Sequence, residues 1–138
     1  MGTERVLFVD DEPALVALTV RGLGRRGYRI TGCSDPLQAL AAFRAEPDAF
    51  DAVVTDLAMP AMSGFLLAQQ LHEIRRNLPI VIMSGFVSAD DEAQSRACEI
   101  RQIILKPITL DKLGEALDRL FAASNPAGDP AGNPRGAA

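Results

Sequence analysis

Tryptophan is absent from this chain, tyrosine and histidine occur once each, and cysteine occurs twice. Cys33 and Cys98 have neither the spacing of a zinc site nor the cysteine density of a disulfide-stapled secreted domain. We therefore expect two free, buried thiols, the usual state of cysteine in a protein interior. The single histidine, His72, falls on a helical pattern where we expect it to be exposed, and we assign it no role.

Long apolar runs and clustered positive charge are also lacking. No run approaches the roughly 20 residues of a membrane-spanning helix, and the N-terminus has no signal-peptide pattern. We therefore expect a cytoplasmic location without membrane association. The net charge is -4, from 14 basic and 18 acidic residues. Because nucleic-acid binding requires clustered lysine and arginine, we expect no direct contact with nucleic acid.

What is present is an ordinary globular composition, with 48% apolar residues in 138. A chain of this length is usually one domain that buries about two-thirds of its unfolded surface. From Ser124 onward, Pro, Gly and Ala dominate in a short four-residue repeat that cannot build a core. We predict a domain over residues 4–122 and a flexible tail over residues 123–138.

Short apolar runs alternate with helical patterns along the predicted domain. Helix-starting signals follow each run: Pro13, Asp35 with Pro36, the region of Phe65, Ser88 with Asp91, and Thr109. The predicted strands are residues 5–9, 28–33, 52–55, 79–83 and 103–105. Five strands alternating with five helices predict an α/β fold with a parallel sheet and right-handed crossovers. The helix after Ser88 has only Ala93, Ala97 and Cys98 to bury, which indicates low local stability.

Charged and polar side chains follow four of these strands. Asp10 and Asp11 follow the first strand, Asp56 the third, Ser84 the fourth and Lys106 the fifth. The carboxyl ends of parallel strands meet at one edge of a sheet, where such folds bind their ligands. Three carboxylates there repel one another unless a cation lies among them, and Mg²⁺ prefers such oxygen ligands.

Asp56 is the predicted nucleophile of this site. It ends a strand that is apolar on both faces, and Pro60 and Gly64 sharpen the turn after it. Lys106 offers a point charge and Ser84 a hydroxyl donor to the oxygens of a phosphoryl group. The set predicts a site that stabilises charge on a phosphoryl group transferred to Asp56.

At these residues the sequence resembles the receiver domains of two-component response regulators. The matching motifs are Val9-Asp10-Asp11-Glu12-Pro13, Asp56 with Met59-Pro60 and Ser63-Gly64, Ser84-Gly85, and Lys106-Pro107, in order and at the right spacing. The resemblance implies a flavodoxin-like, doubly wound sheet of order 2-1-3-4-5. It also implies a cis Lys106–Pro107 bond.

The function implied by the resemblance is His-Asp signalling. Asp56 would accept phosphate from a sensor histidine kinase or a histidine phosphotransfer protein. Mg²⁺ would be held by Asp11, Asp56 and the backbone carbonyl of Ala58, with Asp10 assisting. Such a domain catalyses only its own phosphorylation and dephosphorylation, and it switches partner binding, with a phosphorylation-dependent dimer as one expected form. The chain would be a single-domain regulator or a receiver from a hybrid kinase.

Two departures from the family pattern concern the link between phosphorylation and output. Ile103 stands where the family usually has an aromatic switch residue, and Cys98-Glu99-Ile100 replaces a turn that commonly contains glycine. A left-handed backbone would be disfavoured in that turn.

Two other function classes remain open. A haloacid-dehalogenase-type phosphatase would need an acid at Ala58, and an interaction domain that is never phosphorylated would not need all five site residues.

Overall fold

The computed structural model describes the backbone of residues 3–124, 128–130 and 134–137, and the side chains of residues 3–122. The chain forms two compact units, one ending at Ile108 and the other beginning at Thr109. Among the described residues, no helix combines the length and the apolar character needed to cross a membrane.

The first unit is built on one five-stranded sheet. Its strands are β1 (Arg5–Val9), β2 (Arg29–Cys33), β3 (Ala52–Asp56), β4 (Ile80–Ser84) and β5 (Gln102–Leu105). Adjacent strands are all parallel, and their order is β2-β1-β3-β4-β5. The predicted topology is therefore confirmed, and the carboxyl ends of all five strands lie along the same edge of the sheet.

Four helices connect these strands. They are α1 (Pro13–Arg25), α2 (Pro36–Ala45), α3 (Gly64–Ile74) and α4 (Ala89–Ala97). Side chains cap the N-termini of three of these helices. Asp35 accepts a hydrogen bond from the N–H of Leu37, and Ser63 accepts one from the N–H of Leu66. Ser88 and Asp91 form the reciprocal capping box that the sequence predicts. Gly24 lies in the last turn of α1, and the chain leaves that helix through Gly27 at φ 102°.

The core of this unit surrounds the central strands. Every residue of β3 and β4 is buried, which explains why their sequences show no alternation of polar and apolar residues. The two cysteines are free and buried, as predicted. His72 differs from expectation, because it is half-buried and its Nε2 lies 2.9 Å from the carbonyl oxygen of Leu78.

Helix α4 is attached to the core mainly at its C-terminal end. Ser95 in the last turn of α4 and Cys98, which directly follows the helix, are buried, whereas the expected Ala93 and Ala97 are exposed. Gln69 of α3 donates a 3.6 Å hydrogen bond to the Cys98 sulfur. Ser95 is the one buried residue within α4, which agrees with its few apolar residues, and the low local stability of this helix stays a prediction.

The turn after α4 is left-handed in spite of its sequence. Glu99 has φ 57°. The N–H of Ile100 donates to the carbonyl of Ser95 and the N–H of Glu99 to that of Arg96, at 2.9 and 3.2 Å. These two bonds define a Schellman motif, which usually has glycine at the position of Glu99. The hydrogen bonds of the helix end thus outweigh the steric cost of a β-carbon there.

The second unit contains α5 (Leu110–Ser124) and two short antiparallel strands, β6 (Gly128–Pro130) and β7 (Pro134–Ala137). Thr109 caps α5 as predicted, since its hydroxyl accepts a 3.1 Å hydrogen bond from the N–H of Lys112. The sequence predicts no strands in this region. The flexibility expected for residues 123–138 stays a prediction, because residues 125–127, 131–133 and 138 lie outside the described residues.

Candidate functional site

The residues predicted to form the site lie where their strands end. Asp10 directly follows β1, Asp56 and Ser84 are the last residues of β3 and β4, and Lys106 directly follows β5. The strand pairing sets Asp56 beside Met83 and Ser84 beside Leu105. The sheet edge thereby brings residues up to 96 positions apart into one site.

Three carboxylates converge at this edge. Ligand oxygens of Asp10, Asp11 and Asp56 all lie within 4.8 Å of one another. Asp10 is fully buried and Asp56 is 5% exposed, while Asp11 faces solvent. A hard divalent cation that keeps part of its water shell fits such an oxygen-only set with one open side. The donor set therefore suits Mg²⁺, as the sequence predicts.

Lys106 provides the positive charge among these acids. Its Nζ lies 3.2 Å from Oδ2 of Asp56 and 3.5 Å from Oδ2 of Asp10. The backbone N–H of Lys106 donates a 2.7 Å hydrogen bond to the carbonyl of Ser84. The Lys106–Pro107 bond is cis, which confirms the expectation from the family.

Two groups of the site, Asp56 and Lys106, have raised pKa values. Burial is the largest cause of the raised pKa of Asp56; Lys106 lowers that pKa, and Asp10 and Asp11 raise it further. For Lys106, burial lowers the pKa, but the hydrogen bonds and charges of Asp56 and Asp10 outweigh it and the pKa is raised. Burial therefore raises the pKa of Asp56 in spite of Lys106, whereas the neighbouring carboxylates raise the pKa of Lys106 in spite of its burial.

Ser84 is engaged in a local hydrogen bond. Its hydroxyl donates to the carbonyl of Phe86 at 2.6 Å and accepts from the N–H of Phe86 at 3.3 Å. The ring of Phe86 is 73% exposed. Ser84 ends β4 at this edge of the sheet, as the sequence predicts, but the sequence gives no signal for this bond, since a serine hydroxyl can bond to any neighbouring backbone group.

The loop between β3 and α3 carries Ala58, the predicted backbone ligand. Ala58 is exposed, and the ligand role of its carbonyl stays a prediction. The loop is fixed at its base, because the N–H of Leu57 donates to the carbonyl of Met83 at 2.9 Å. Gly64 closes it by donating to the carbonyl of Leu57 at 2.8 Å. The sequence pattern predicts Gly64 to be a turn residue, whereas the structure makes it the first residue of α3.

Comparisons with known proteins agree with this geometry. The family model of the response regulator receiver domain matches residues 6–118. The sensor protein EvgS of Escherichia coli (strain K12) is 31% identical over 120 residues, which cover 87% of this chain and 10% of EvgS. The chain spans about a tenth to a fifth of the length of such curated relatives.

Solved structures resemble the chain over nearly its whole length. The non-phosphorylated receiver domain of HemR from Leptospira biflexa has a TM-score of 0.80 and 26% identity, covering 87% of this chain and 95% of that one. The response regulator TrrA of Thermotoga maritima, in complex with Mg²⁺-BeF, has a TM-score of 0.74 and 26% identity, covering 86% and 99%.

This chain belongs to the response regulator receiver domain family. It is a receiver domain of the kind that acts in two-component signal transduction, and its relatives include both response regulators and sensor histidine kinases. The fold is the flavodoxin-like fold of these receivers, with the strand order the sequence predicts.

Proposed function

We propose that Asp56 is the phosphoacceptor of this receiver and that it takes its phosphoryl group from a histidine of a sensor kinase or phosphotransfer protein. The observation that carries the proposal is the position of the Lys106 ammonium, 3.2 Å from Asp56 and 3.5 Å from Asp10, in a cluster of three carboxylates. A buried acid with a fixed cation beside it favours attack on phosphorus, because charge is stabilised by groups already in place.

In the transfer, a carboxylate oxygen of Asp56 attacks phosphorus while the phosphorus–nitrogen bond of the phosphohistidine breaks. The electron pair of that bond returns to the imidazole ring, so the products are an aspartyl phosphate and a histidine. The ammonium of Lys106 contacts phosphoryl oxygens as an opposing charge. Ser84 contributes a hydrogen bond once its hydroxyl turns from the carbonyl of Phe86.

Asp11, Asp56 and the carbonyl of Ala58 would hold Mg²⁺, with Asp10 assisting. When bound, the ion supplies positive charge against the phosphoryl oxygens and relieves the repulsion among the carboxylates. The Mg²⁺-BeF complex of TrrA supports this assignment by analogy.

The proposal includes the wider role of the domain. Its catalysis extends only to its own phosphorylation and dephosphorylation, its partners are a histidine kinase or phosphotransfer protein, and it works in the cytoplasm without binding nucleic acid directly. Phosphorylation would change partner binding, with dimer formation as one form of that change.

Labelling with a small phosphodonor and Mg²⁺ tests the phosphoacceptor directly. We expect label on the wild-type protein and on Asp48→Asn, an exposed aspartate away from the cluster, and none on Asp56→Asn. Full labelling of Asp56→Asn would refute the assignment. Wild-type protein that takes no label from either a small donor or a phosphorylated histidine protein would favour the alternative of an interaction domain that is never phosphorylated.

A further inference from the structure

The first turn of α3 lies against the backbone of Asp56. A β-carbon built on Gly64 would be 2.5 Å from the carbonyl oxygen of Asp56, 3.1 Å from Cα of Leu57 and 3.3 Å from the carbonyl carbon of Asp56. All three neighbours are backbone atoms, which cannot rotate away as a side chain can. Any residue with a side chain at this position must therefore displace either α3 or Asp56.

Backbone conformation does not explain the glycine. Gly27 and Glu99 are the described residues with a positive φ, and Gly64 is not among them. Alanine could adopt the dihedral angles of Gly64 without strain. What position 64 requires is the absence of a side chain.

The same residue also fixes the loop that carries Ala58. The N–H of Gly64 donates a 2.8 Å hydrogen bond to the carbonyl of Leu57, which closes residues 57–63 into a loop. On the other side, the hydroxyl of Thr55 donates a 3.0 Å hydrogen bond to the carbonyl oxygen of Asp56. The Asp56 peptide is thus held between Thr55 and Gly64, and both the carboxylate of Asp56 and the carbonyl of Ala58 depend on where this peptide lies.

We propose that Gly64 is a positioning residue of the phosphorylation site. Because it has no side chain, α3 packs against the Asp56 peptide. This packing sets the Asp56 carboxylate and the Ala58 carbonyl at the spacing needed to bind Mg²⁺ with Asp11. This inference rests on the proposed function of Asp56. Outer-shell groups that orient ligands typically change metal affinity by about 10- to 100-fold when they are lost.

Gly64→Ala tests the proposal, and Gly32→Ala is its matched control. A β-carbon on Gly32 would also collide with neighbours, but these are the side chains of Val16 and Val20 in α1. Both variants should lower the midpoint of urea denaturation in metal-free protein. We expect Gly64→Ala alone to weaken Mg²⁺ affinity by about tenfold or more and to slow labelling of Asp56.

Gly24→Ala controls for the added methyl group, because a β-carbon on Gly24 has no neighbour within 4 Å. In metal-free Gly64→Ala, the backbone amide signals of Asp56 and Ala58 should shift relative to wild type, whereas both controls should leave them in place. A Gly64→Ala protein with wild-type Mg²⁺ affinity and unmoved signals would overturn the proposal, as would an equal loss of affinity in Gly32→Ala.

If Gly64→Ala does not fold, wild-type protein still decides the question. Mg²⁺ should shift the Gly64 amide signal more than the signals of Gly24 and Gly32, since the Asp56 peptide transmits the change. A Gly64 signal that moves no more than theirs would refute the positioning role. The two proposals fail separately: label retained on Asp56→Asn refutes the phosphoacceptor, whereas normal Mg²⁺ binding by Gly64→Ala refutes only the role of Gly64.

Discussion

The hydroxyl of Ser84 donates its hydrogen bond to the carbonyl of Phe86 and not to any group of the carboxylate cluster. At 2.6 Å this is a short contact, and it ties the end of β4 to the chain that leads into α4. A phosphoryl oxygen on Asp56 would compete for the same proton, and charge-assisted bonds are the stronger kind. Phosphorylation should therefore release the carbonyl of Phe86.

The first prediction follows from that release. We expect beryllofluoride, as a phosphoryl mimic, to shift residues 86–100 while Ile103 keeps its rotamer, because Ile103 is stiff at χ1 and α4 breaks few contacts in moving. Methyl and amide NMR with and without the mimic would show this, and Ser84→Ala should reduce the shifts in α4. A large rearrangement of Ile103 beside a static α4 would contradict it.

Metal binding should depend unequally on the site residues. Asp11→Ala removes a predicted ligand, whereas Ser84→Ala removes a hydroxyl that is bonded to Phe86. We expect calorimetric titration with Mg²⁺ to show an affinity loss of about tenfold or more for Asp11→Ala and a much smaller one for Ser84→Ala. Far-UV circular dichroism should show both variants folded without metal. Equal losses in the two variants would exclude Asp11 as a ligand.

The phosphorylated state should decay slowly. Ala58 and Phe86 lie two residues beyond Asp56 and Ser84, and both are exposed beside the site. An apolar pair cannot orient an attacking water by hydrogen bonds. We expect Ala58→Asn or Phe86→Glu to change the lifetime of labelled Asp56 more than Arg44→Ala, an exposed change on α2. Time courses after removal of the donor measure this, and identical decay in all variants would reject the idea.

Glu99→Gly should stabilise the fold. A left-handed residue with a β-carbon costs about 1–2 kcal/mol, and part of this gain is offset by the greater freedom of glycine in the unfolded chain. The lost ion pair with Arg76 matters little, because its 3.6 Å contact joins two exposed side chains. We expect a net gain of up to about 1 kcal/mol in urea denaturation. Glu99→Ala, which loses the ion pair and keeps the β-carbon, should gain nothing.

The raised pKa of Asp56 predicts a pH dependence of stability in metal-free protein. Because this pKa is higher in the folded than in the unfolded chain, the contribution of Asp56 is fully present below its unfolded pKa of about 3.9. It is lost as the pH rises through the folded pKa. Asp56→Asn avoids that loss, so we expect it to be more stable than wild type at pH 7.

The advantage of Asp56→Asn should shrink as the pH falls toward 4. Urea denaturation at several pH values in a chelating buffer measures it, with Asp48→Asn as the exposed control. If the stability advantage of Asp56→Asn over wild type grew on acidification, the charge of Asp56 would not destabilise the metal-free fold.

The topology and the placement of the five predicted site residues at one edge of the sheet could be predicted because each depends on a local pattern. Apolar runs mark the strands, and a parallel sheet necessarily collects their ends at one edge. The role of Gly64 could not be predicted in this way, since its collision partner is the backbone of Asp56, eight residues earlier, and the closeness of that approach depends on how α3 packs.

Two other features differ from expectation because they too depend on three-dimensional structure: the turn after α4 and the buried face of α4. Glu99 takes a left-handed conformation because two hydrogen bonds at the end of α4 require it, which residue preference alone does not reveal. Ser95 is buried in place of Ala93 and Ala97 because the orientation of α4 about its axis decides which face meets the core. With so few apolar residues, the sequence of α4 does not specify that orientation.

Three carboxylates surround one ammonium group at the sheet edge. The stability of the fold should therefore depend on the cations in solution. An ion that binds the folded cluster and ignores the unfolded chain shifts the folding equilibrium by mass action. At a free concentration of 100 times the dissociation constant, such an ion adds about 2.7 kcal/mol to the free energy of unfolding. The melting temperature of this receiver should thus rise with Mg²⁺ concentration. The same protein would be less stable in a chelating buffer than in a cell.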